Sequence, residues 1–337
     1  MSPSNIIASV STKFAHALDS GDLFFYPSTK TTVEDLGVNF EIRLCPALQK
    51  KPELPTPDLE HNPVAKAAQA DERETKRVDP FLPPYNPNLH IGDLKEEDGA
   101  EYVLLLNKYA LLPDHFLLVT REFRSQSSPL LPSDLVQAYL LLVAARKAGK
   151  HYFAFYNCGE NSGASQPHKH IQFIPVEDDG PPIEALARSA NLETPDKPFS
   201  LTTLTYANHV ARLPTQLSSY TPDKLERTLS DVFLSLLDLV ISTIRHDPEY
   251  PPGKPSYNVL ISLEHIHLIP RLREDYTFPQ TGDTLSINAL GFAGLLLVKS
   301  EDELQALKEN GIGNVLRLVG LGSVHDIQVA ETTTEAE

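Results

Sequence analysis

Cysteine is scarce in this chain of 337 residues, with only Cys45 and Cys158 present. Two thiols exclude a disulfide scaffold and any four-cysteine zinc or iron–sulfur site. They fit a reducing compartment. Positive charge is also short: 29 Lys and Arg stand against 45 Asp and Glu, for a formal net charge of −16. That balance argues against a general nucleic-acid or anionic-membrane binder, because both need a positive surface. It leaves room for a small anion in a locally basic pocket. No stretch approaches the ~20 apolar residues of a membrane-spanning helix. The opening MSPSNIIASVSTKFAHALDSG lacks a basic segment followed by an apolar run, so no signal peptide is visible. No repeat of fixed period stands out. The expectation is a soluble intracellular protein of the cytoplasm, with the nucleus as a second compartment.

What is present is a length that can bury a full core and 28 prolines, many of them in connections. Ser2, Pro3 and Gly21 frame a first helix. LFFY at 23–26 and VNFEIRL at 38–44 read as strands. Residues 52–79 carry many charges and few large apolar groups, which predicts an exposed, mobile loop. YVLLLNKYA at 102–110 and HFLLVTREF at 115–123 read as a hairpin. A helix is expected from Ser133, and strands at 151–159 and 168–176 flank the loop ENSGASQP. Thr221 and Pro222 open a long helix with Leu225, Leu229, Phe233, Leu236 and Val240 on one face. YNVLISLEHIHLIPRLR at 257–273 reads as two strands and INALGFAGLLLVK at 287–299 as a glycine-punctuated strand. Ser300 and Glu303 suggest a capping box. The sum is α+β, with antiparallel strands predominating.

The segment richest in chemistry is His168-Lys169-His170-Ile171-Gln172. In a strand, residues two apart share a face, so His168, His170 and Gln172 form one polar stripe and Lys169 and Ile171 point away. A solvated strand face with incidental histidines is the plain alternative. The preceding Asn161–Gln166 loop counts against it, because successive small residues let backbone amides approach an anion. Neutral imidazole is a good nucleophile near neutral pH, and attack on phosphorus would split one displacement into two. Gln172 could hydrogen-bond a phosphate oxygen or orient a ring.

The pattern His-x-His-x-Gln resembles the nucleotidyltransferase branch of the histidine-triad superfamily. FYNCGENSGASQPHKHIQ is closer still to the diadenosine 5′,5‴-tetraphosphate phosphorylases (ATP adenylyltransferases) of fungi. FEIRLCPALQKKP, LLLNKYALLPDHFLLVTREF, PSYNVLISLEHIHLIPR and INALGFAGLLLVK extend the resemblance from about Phe40 to Lys299. It implies a histidine-triad-like antiparallel sheet with packed helices, elaborated by a C-terminal part that completes the site. The parts would be a catalytic 1–199, an ATP adenylyltransferase 200–330 and a disordered tail 331–337. It also implies phosphorolysis of diadenosine tetraphosphate by inorganic phosphate to ADP and ATP, reversibly, through an adenylyl group on His170.

His168 and Gln172 would assist His170. The substrate contacts implied by family position are Lys51, Asn107, Lys108, Asn157, Gly163, Ala164, Ser165, Gln166, Asn288, Ala289, Leu290, Leu295 and Lys299. Outside a family, each lone lysine reads as a solvated charge. The partners would be these small nucleotides and phosphate, with no nucleic acid and no membrane, and the sequence leaves the oligomeric state open. Mg2+ is expected to arrive with the polyphosphate rather than in a protein cage. The related hexose-1-phosphate uridylyltransferases can bind zinc at the position of His168 together with cysteines; this chain has no CxxC, so no structural zinc is expected. Cys158 reads as a small buried thiol. His265 and His267 alternate like a metal pair but have no acidic partner at fixed spacing, and read as strand-surface residues. His115 reads as structural or adjacent to the site. Two other functions compete: a uridylyltransferase-like nucleotidyl transfer, which Lys169 and the missing cysteine pair disfavour, and a non-catalytic dinucleotide sensor.

Overall fold

The computed structural model describes residues 1–49, 79–95, 99–177 and 180–323. Helix α1 (Pro3–Asp19) leads to β1 (Phe24–Phe25), β2 (Thr29–Asp35) and β3 (Val38–Leu44). Then come β4 (His90–Lys95), β5 (Glu101–Leu106), β6 (Tyr109–Ala110), β7 (Phe116–Thr120), α2 (Pro132–Lys147), β8 (Tyr152–Cys158) and β9 (His170–Pro175). The second half runs α3 (Pro182–Ser189), β10 (His209–Arg212), α4 (Pro222–His246), β11 (Tyr257–Ile261), β12 (His265–Pro270), β13 (Asp275–Thr277) and β14 (Thr284–Ser286). It closes with α5 (Ala289–Ala293), β15 (Leu295–Val298), α6 (Glu301–Asn310) and α7 (Ile312–Val319).

Eight strands form one antiparallel sheet in the order β10-β12-β11-β8-β9-β7-β5-β4. Helices α1, α2 and α4 cover one face. Ser2 Oγ caps α1 by accepting the Asn5 N–H, and Ile6, Ile7, Val10, Phe14 and Ala17 make its buried stripe. On α4 the stripe is the expected Leu225, Leu229, Phe233, Leu236 and Val240, each buried. These residues join Ile171 and Phe173 of β9 in the largest apolar cluster. Each fully buried Leu or Phe stabilises the fold by roughly 1.5–3 kcal/mol.

The other face is divided. At one side a three-stranded sheet, β15-β3-β2, packs with α3, α5, α6 and α7 over Phe153, Phe155, Ile174 and Leu260. At the other side Phe81 covers Val103, Leu105, Leu117 and Val119. Between the two apolar patches runs a row of polar side chains from β5 to β11, which is the site described below.

Several boundaries differ from the sequence reading, each for a local reason. The strand expected over 102–110 breaks after Leu106, because Asn107 Oδ1 accepts the Tyr109 N–H at 3.1 Å and turns the chain. Helix α2 starts one residue early: Asp134, not Ser133, caps it by accepting the Leu131 N–H. The strand expected over 287–299 is helix α5 followed by β15. Asn288 Oδ1 caps the helix at Leu290 N, and Gly294, at φ 96°, ends it in the left-handed region. Ser300 Oγ does accept the Glu303 N–H, but Glu303 reaches back to the Lys299 N–H rather than to Ser300. Lys51, residues 52–78 of the expected loop and the tail 331–337 lie outside the described residues. Asp79, assigned to that loop, is ordered and partly buried.

Candidate active site

β9 begins at His170, and its neighbours diverge there. β7 pairs Val119 with His170, whereas β8 pairs only as far as Phe155 opposite Gln172. The buried side chain of Gln126 fills the fork. Its Nε2 donates to Asn157 O at 2.8 Å, and its Oε1 accepts the His170 N–H at 2.8 Å. A side-chain amide thus satisfies backbone groups that the ladder no longer pairs. The expected phosphate loop joins the open ends of β8 and β9.

The three residues of the expected stripe do share one side, but it is not solvated. His168 is 0% and His170 2% exposed, and the Phe81 ring stands 5.1 Å from the His170 ring. His170 Nδ1 donates to the His168 carbonyl at 2.8 Å. Burial, with His168 adding to it, pushes the His170 imidazole down to about 4; the bond to His168 and the charge of Asp79 partly oppose this. The ring is therefore neutral at pH 7. Its proton sits on Nδ1, and Nε2 keeps its lone pair with no hydrogen-bond partner among the described residues. His168 precedes β9, in a single bridge to Ser125. Its Nδ1 lies 2.8 Å from Asp79 Oδ2 and its Nε2 2.7 Å from Thr120 O.

Lys169 points to the opposite face, as the alternation requires. There its Nζ donates to Asp134 Oδ2 at 2.9 Å and to Pro129 O at 2.7 Å, with both partners of the pair nearly fully buried. Tyr102 donates to the other oxygen of Asp134.

Beside His170 a hydrogen-bonded row crosses the sheet. Burial takes His115 down to about 4, so its single N–H can serve one acceptor. Nε2 donates to Gln172 Oε1 at 3.1 Å, and Nδ1 accepts from Asn107 Nδ2 at 3.2 Å. The Gln172 NH2 keeps no protein partner among the described residues and remains a donor for a ligand oxygen.

A second cluster closes the other side. Asn157 Oδ1 accepts from Asn258 Nδ2 at 2.9 Å and from the Ala289 N–H at 3.0 Å, while Asn157 Nδ2 donates to Gly163 O at 3.4 Å. Gly163 has φ 78°, and a Cβ there would stand 2.7 Å from that of Asn288, so only glycine fits. Arg271, fully buried, ties these parts together. It donates to Asn258 Oδ1 at 2.6 Å, Ile287 O at 2.6 Å and Ser162 O at 3.2 Å.

The structure thus joins Asn107, His168, His170 and Gln172 on one side and Asn157, Gly163, Asn288 and Ala289 on the other. Ala164, Ser165, Gln166 and Leu290 are half-buried on the loop and on α5. Leu295, opposite Glu41 in β3, does not hydrogen-bond into either cluster. Lys108 lies 5.8 Å from the Phe24 ring centre, and Lys299 Nζ lies 3.4 Å from Thr284 O. Sequence reasoning missed Asp79, Phe81, Gln126, Asn258 and Arg271. Only Asn258 and Arg271 fell in strings already singled out.

His265 and His267 are not strand-surface residues. They are 1% and 2% exposed, and Glu184 of α3 supplies the acidic partner that sequence spacing did not show. Its carboxylate accepts from His265 Nδ1 at 2.8 Å and His267 Nε2 at 3.2 Å. The three donor atoms lie within 4.8 Å of one another, close enough to hold a metal ion. Burial alone would raise Glu184, but the two histidine bonds outweigh it and hold the carboxyl far below its usual range. Cys158 is buried as expected, with burial pushing its thiol up to about 11.

Among the described residues no helix is long and apolar enough to cross a membrane. A family model described as the Ap4A phosphorylase N-terminal domain matches residues 1–189, and one described as the ATP adenylyltransferase C-terminal domain matches 202–322. Diadenosine 5',5'''-P1,P4-tetraphosphate phosphorylase 2 of Saccharomyces cerevisiae is 33% identical over 252 residues, covering 70% of this chain and 74% of the relative. Protein APA1 of the same yeast is 27% identical over 315 residues, covering 91% of each chain. The crystal structure of yeast Ap4A phosphorylase Apa2 in complex with Ap4A superposes with a TM-score of 0.75 at 27% identity, covering 95% of this chain and 98% of that one. Sequence and fold agree, and the chain belongs to the Ap4A phosphorylase family.

Proposed function

We propose that this chain catalyses the reversible phosphorolysis of diadenosine tetraphosphate by inorganic phosphate to ADP and ATP, with His170 as the nucleophile. The observation that carries the reading is the state of His170. It is neutral, its Nδ1 proton is committed to the His168 carbonyl, and Nε2 is left with a lone pair. In the first half-reaction Nε2 attacks an α-phosphorus. The P–N bond forms, the bond to the bridging oxygen breaks, and ATP leaves with the electron pair. In the second, a phosphate oxygen attacks the same phosphorus, the P–N bond breaks and ADP departs. The leaving polyphosphate is already a weak base, so electrostatic support matters more than strong acid assistance. The Gln172 NH2 and the loop amides supply donors, and Lys108, Lys299 and Lys51 would supply charge. Mg2+ would accompany the polyphosphate, since it binds phosphates while keeping several waters. The cytoplasm or nucleus, where such nucleotides meet phosphate, suits this chemistry.

The test is an assay of diadenosine tetraphosphate with and without phosphate, with products resolved. Phosphate-dependent formation of ADP plus ATP is expected. AMP plus ATP at an undiminished rate without phosphate would make the enzyme a hydrolase instead.

A further inference from the structure

We infer that Asp79 is a positioning residue for nucleotidyl transfer, holding the two histidines of the motif in their reactive arrangement and stabilising the charge that His170 acquires. The inference rests on the reading of His170 as nucleophile.

Three observations converge on this carboxylate. Its Oδ2 takes the His168 Nδ1 at 2.8 Å, while the opposite edge of the same ring meets Thr120 O at 2.7 Å. The His168 ring is thus clamped between two oxygen acceptors in a site with no exposure. Its Oδ1 accepts the Phe81 N–H at 2.9 Å, which brings the Phe81 ring over both imidazoles, 6.0 Å from His168 and 5.1 Å from His170. The main chain of the clamped His168 then provides the carbonyl that holds the Nδ1 proton of His170. One carboxylate therefore fixes the residue that sets the tautomer of the nucleophile and the aromatic lid above it.

The electrostatic part follows from the chemistry. When Nε2 bonds to phosphorus, the imidazole changes from neutral to cationic. A carboxylate one ring away favours the product of that step more than its reactant, which is the condition for accelerating it. The charge of Asp79 acts on His170 in this sense in the resting protein too, where it offsets part of the larger opposing effect of His168. A carboxylate that orients a histidine is a recurring device of nucleophilic catalysis. Here it acts through a second histidine.

A merely architectural Asp79 would cap Phe81 and do no more. Asp79→Asn keeps size and an acceptor for Phe81 but removes the charge; Asp79→Ala removes both. Three readouts are taken on the full chain: the single-turnover rate of adenylyl-enzyme formation, AMP affinity, and the 15N chemical shifts of His170 in histidine-labelled protein. Asp79→Asn should slow adenylylation on the order of 10- to 100-fold, less than loss of a directly bonded triad carboxylate. AMP affinity and the folded fraction should stay within about threefold, a factor worth less than 1 kcal/mol. Asp79→Ala should also mix the two neutral tautomers of His170, and Asp79→Glu should recover part of the rate. Wild-type adenylylation in Asp79→Asn would overturn the inference, and so would losses in rate and AMP binding that merely track lost folded protein. Should the wild type form no adenylyl-histidine at all, the nucleophile reading fails on its own. The His170 shifts would then still decide whether Asp79 sets its tautomer, and shifts unchanged in both variants would refute it.

Discussion

The chain carries two His-x-His pairs, 168/170 and 265/267, each buried at the start of a strand in the same sheet. Their partners separate them. In the second pair one carboxylate, Glu184, accepts from both rings. In the first, Asp79 accepts from His168 alone, and His170 turns its Nδ1 to a backbone carbonyl instead. The acceptors differ in kind: Glu184 ties both rings of the second pair to one carboxylate, whereas the His170 ring bonds a neutral backbone carbonyl and is itself neutral. The middle residues differ as well. Ile266 enters the apolar cluster beneath the sheet, whereas Lys169 reaches the same face as an ion pair with Asp134.

The most drastic way to break the comparison is His170→Ala against His267→Ala. The first should cost at least about 10⁴-fold in turnover, as loss of a nucleophile does, with the thermal transition little changed. The second should leave turnover per folded molecule within a few-fold. Steady-state rates normalised to folded protein check both, and near-normal turnover in His170→Ala would remove the nucleophile assignment.

Next comes the residue between the histidines. Lys169→Met strands Asp134 as a buried charge and should destabilise by about 3–5 kcal/mol, whereas Lys169→Met with Asp134→Leu should recover only part of that loss, because the Leu131 N–H and the Tyr102 hydroxyl then lose their acceptor. Denaturant unfolding of the three proteins measures it. Equal losses in the single and double variants would count against this account.

The buried neutral histidines and Glu184 should also respond to acid in different windows. Burial holds His115, His170 and His209 near 4 in the folded state, below the ordinary 6.5. Unfolded histidine takes up protons first, so stability falls as pH drops from about 6.5 to about 4 and then levels for these groups. Glu184 works lower. Its depressed folded value means that its contribution is complete above the ordinary carboxylate value of 4.5 and is lost only as pH falls further. His209→Gln should flatten the upper window and Glu184→Gln the lower one; unfolding midpoints between pH 3 and pH 7 test the assignment.

The smallest effect belongs to the peripheral cations. Lys108→Met should raise KM by roughly three- to tenfold at unchanged kcat, as expected when uniform binding is lost. A fall in kcat alone would place Lys108 closer to the reacting phosphate than its position over Phe24 does.

Local pattern determined a good deal by itself. The 3.6-residue spacing of α4, the alternation through His168–Gln172 and the small-residue loop before it are properties of neighbouring residues, and each was legible in the chain. So was the family, because five separated strings occur in order. Partners from distant segments were not legible. Asp79 sits at the end of a charged, apolar-poor stretch and looks like solvent-exposed chain until the fold brings it 89 residues along the sequence to His168. Glu184 reaches His265 across 81 residues, and Arg271 reaches Ser162 across 109. No periodicity or spacing rule encodes such meetings, because they depend on which strands pair and which loops cross the sheet. Sequence alone placed histidines in two alternating strands. Tertiary structure decided which acceptors those rings would meet: one shared carboxylate for the second pair, a carboxylate and a backbone carbonyl for the first.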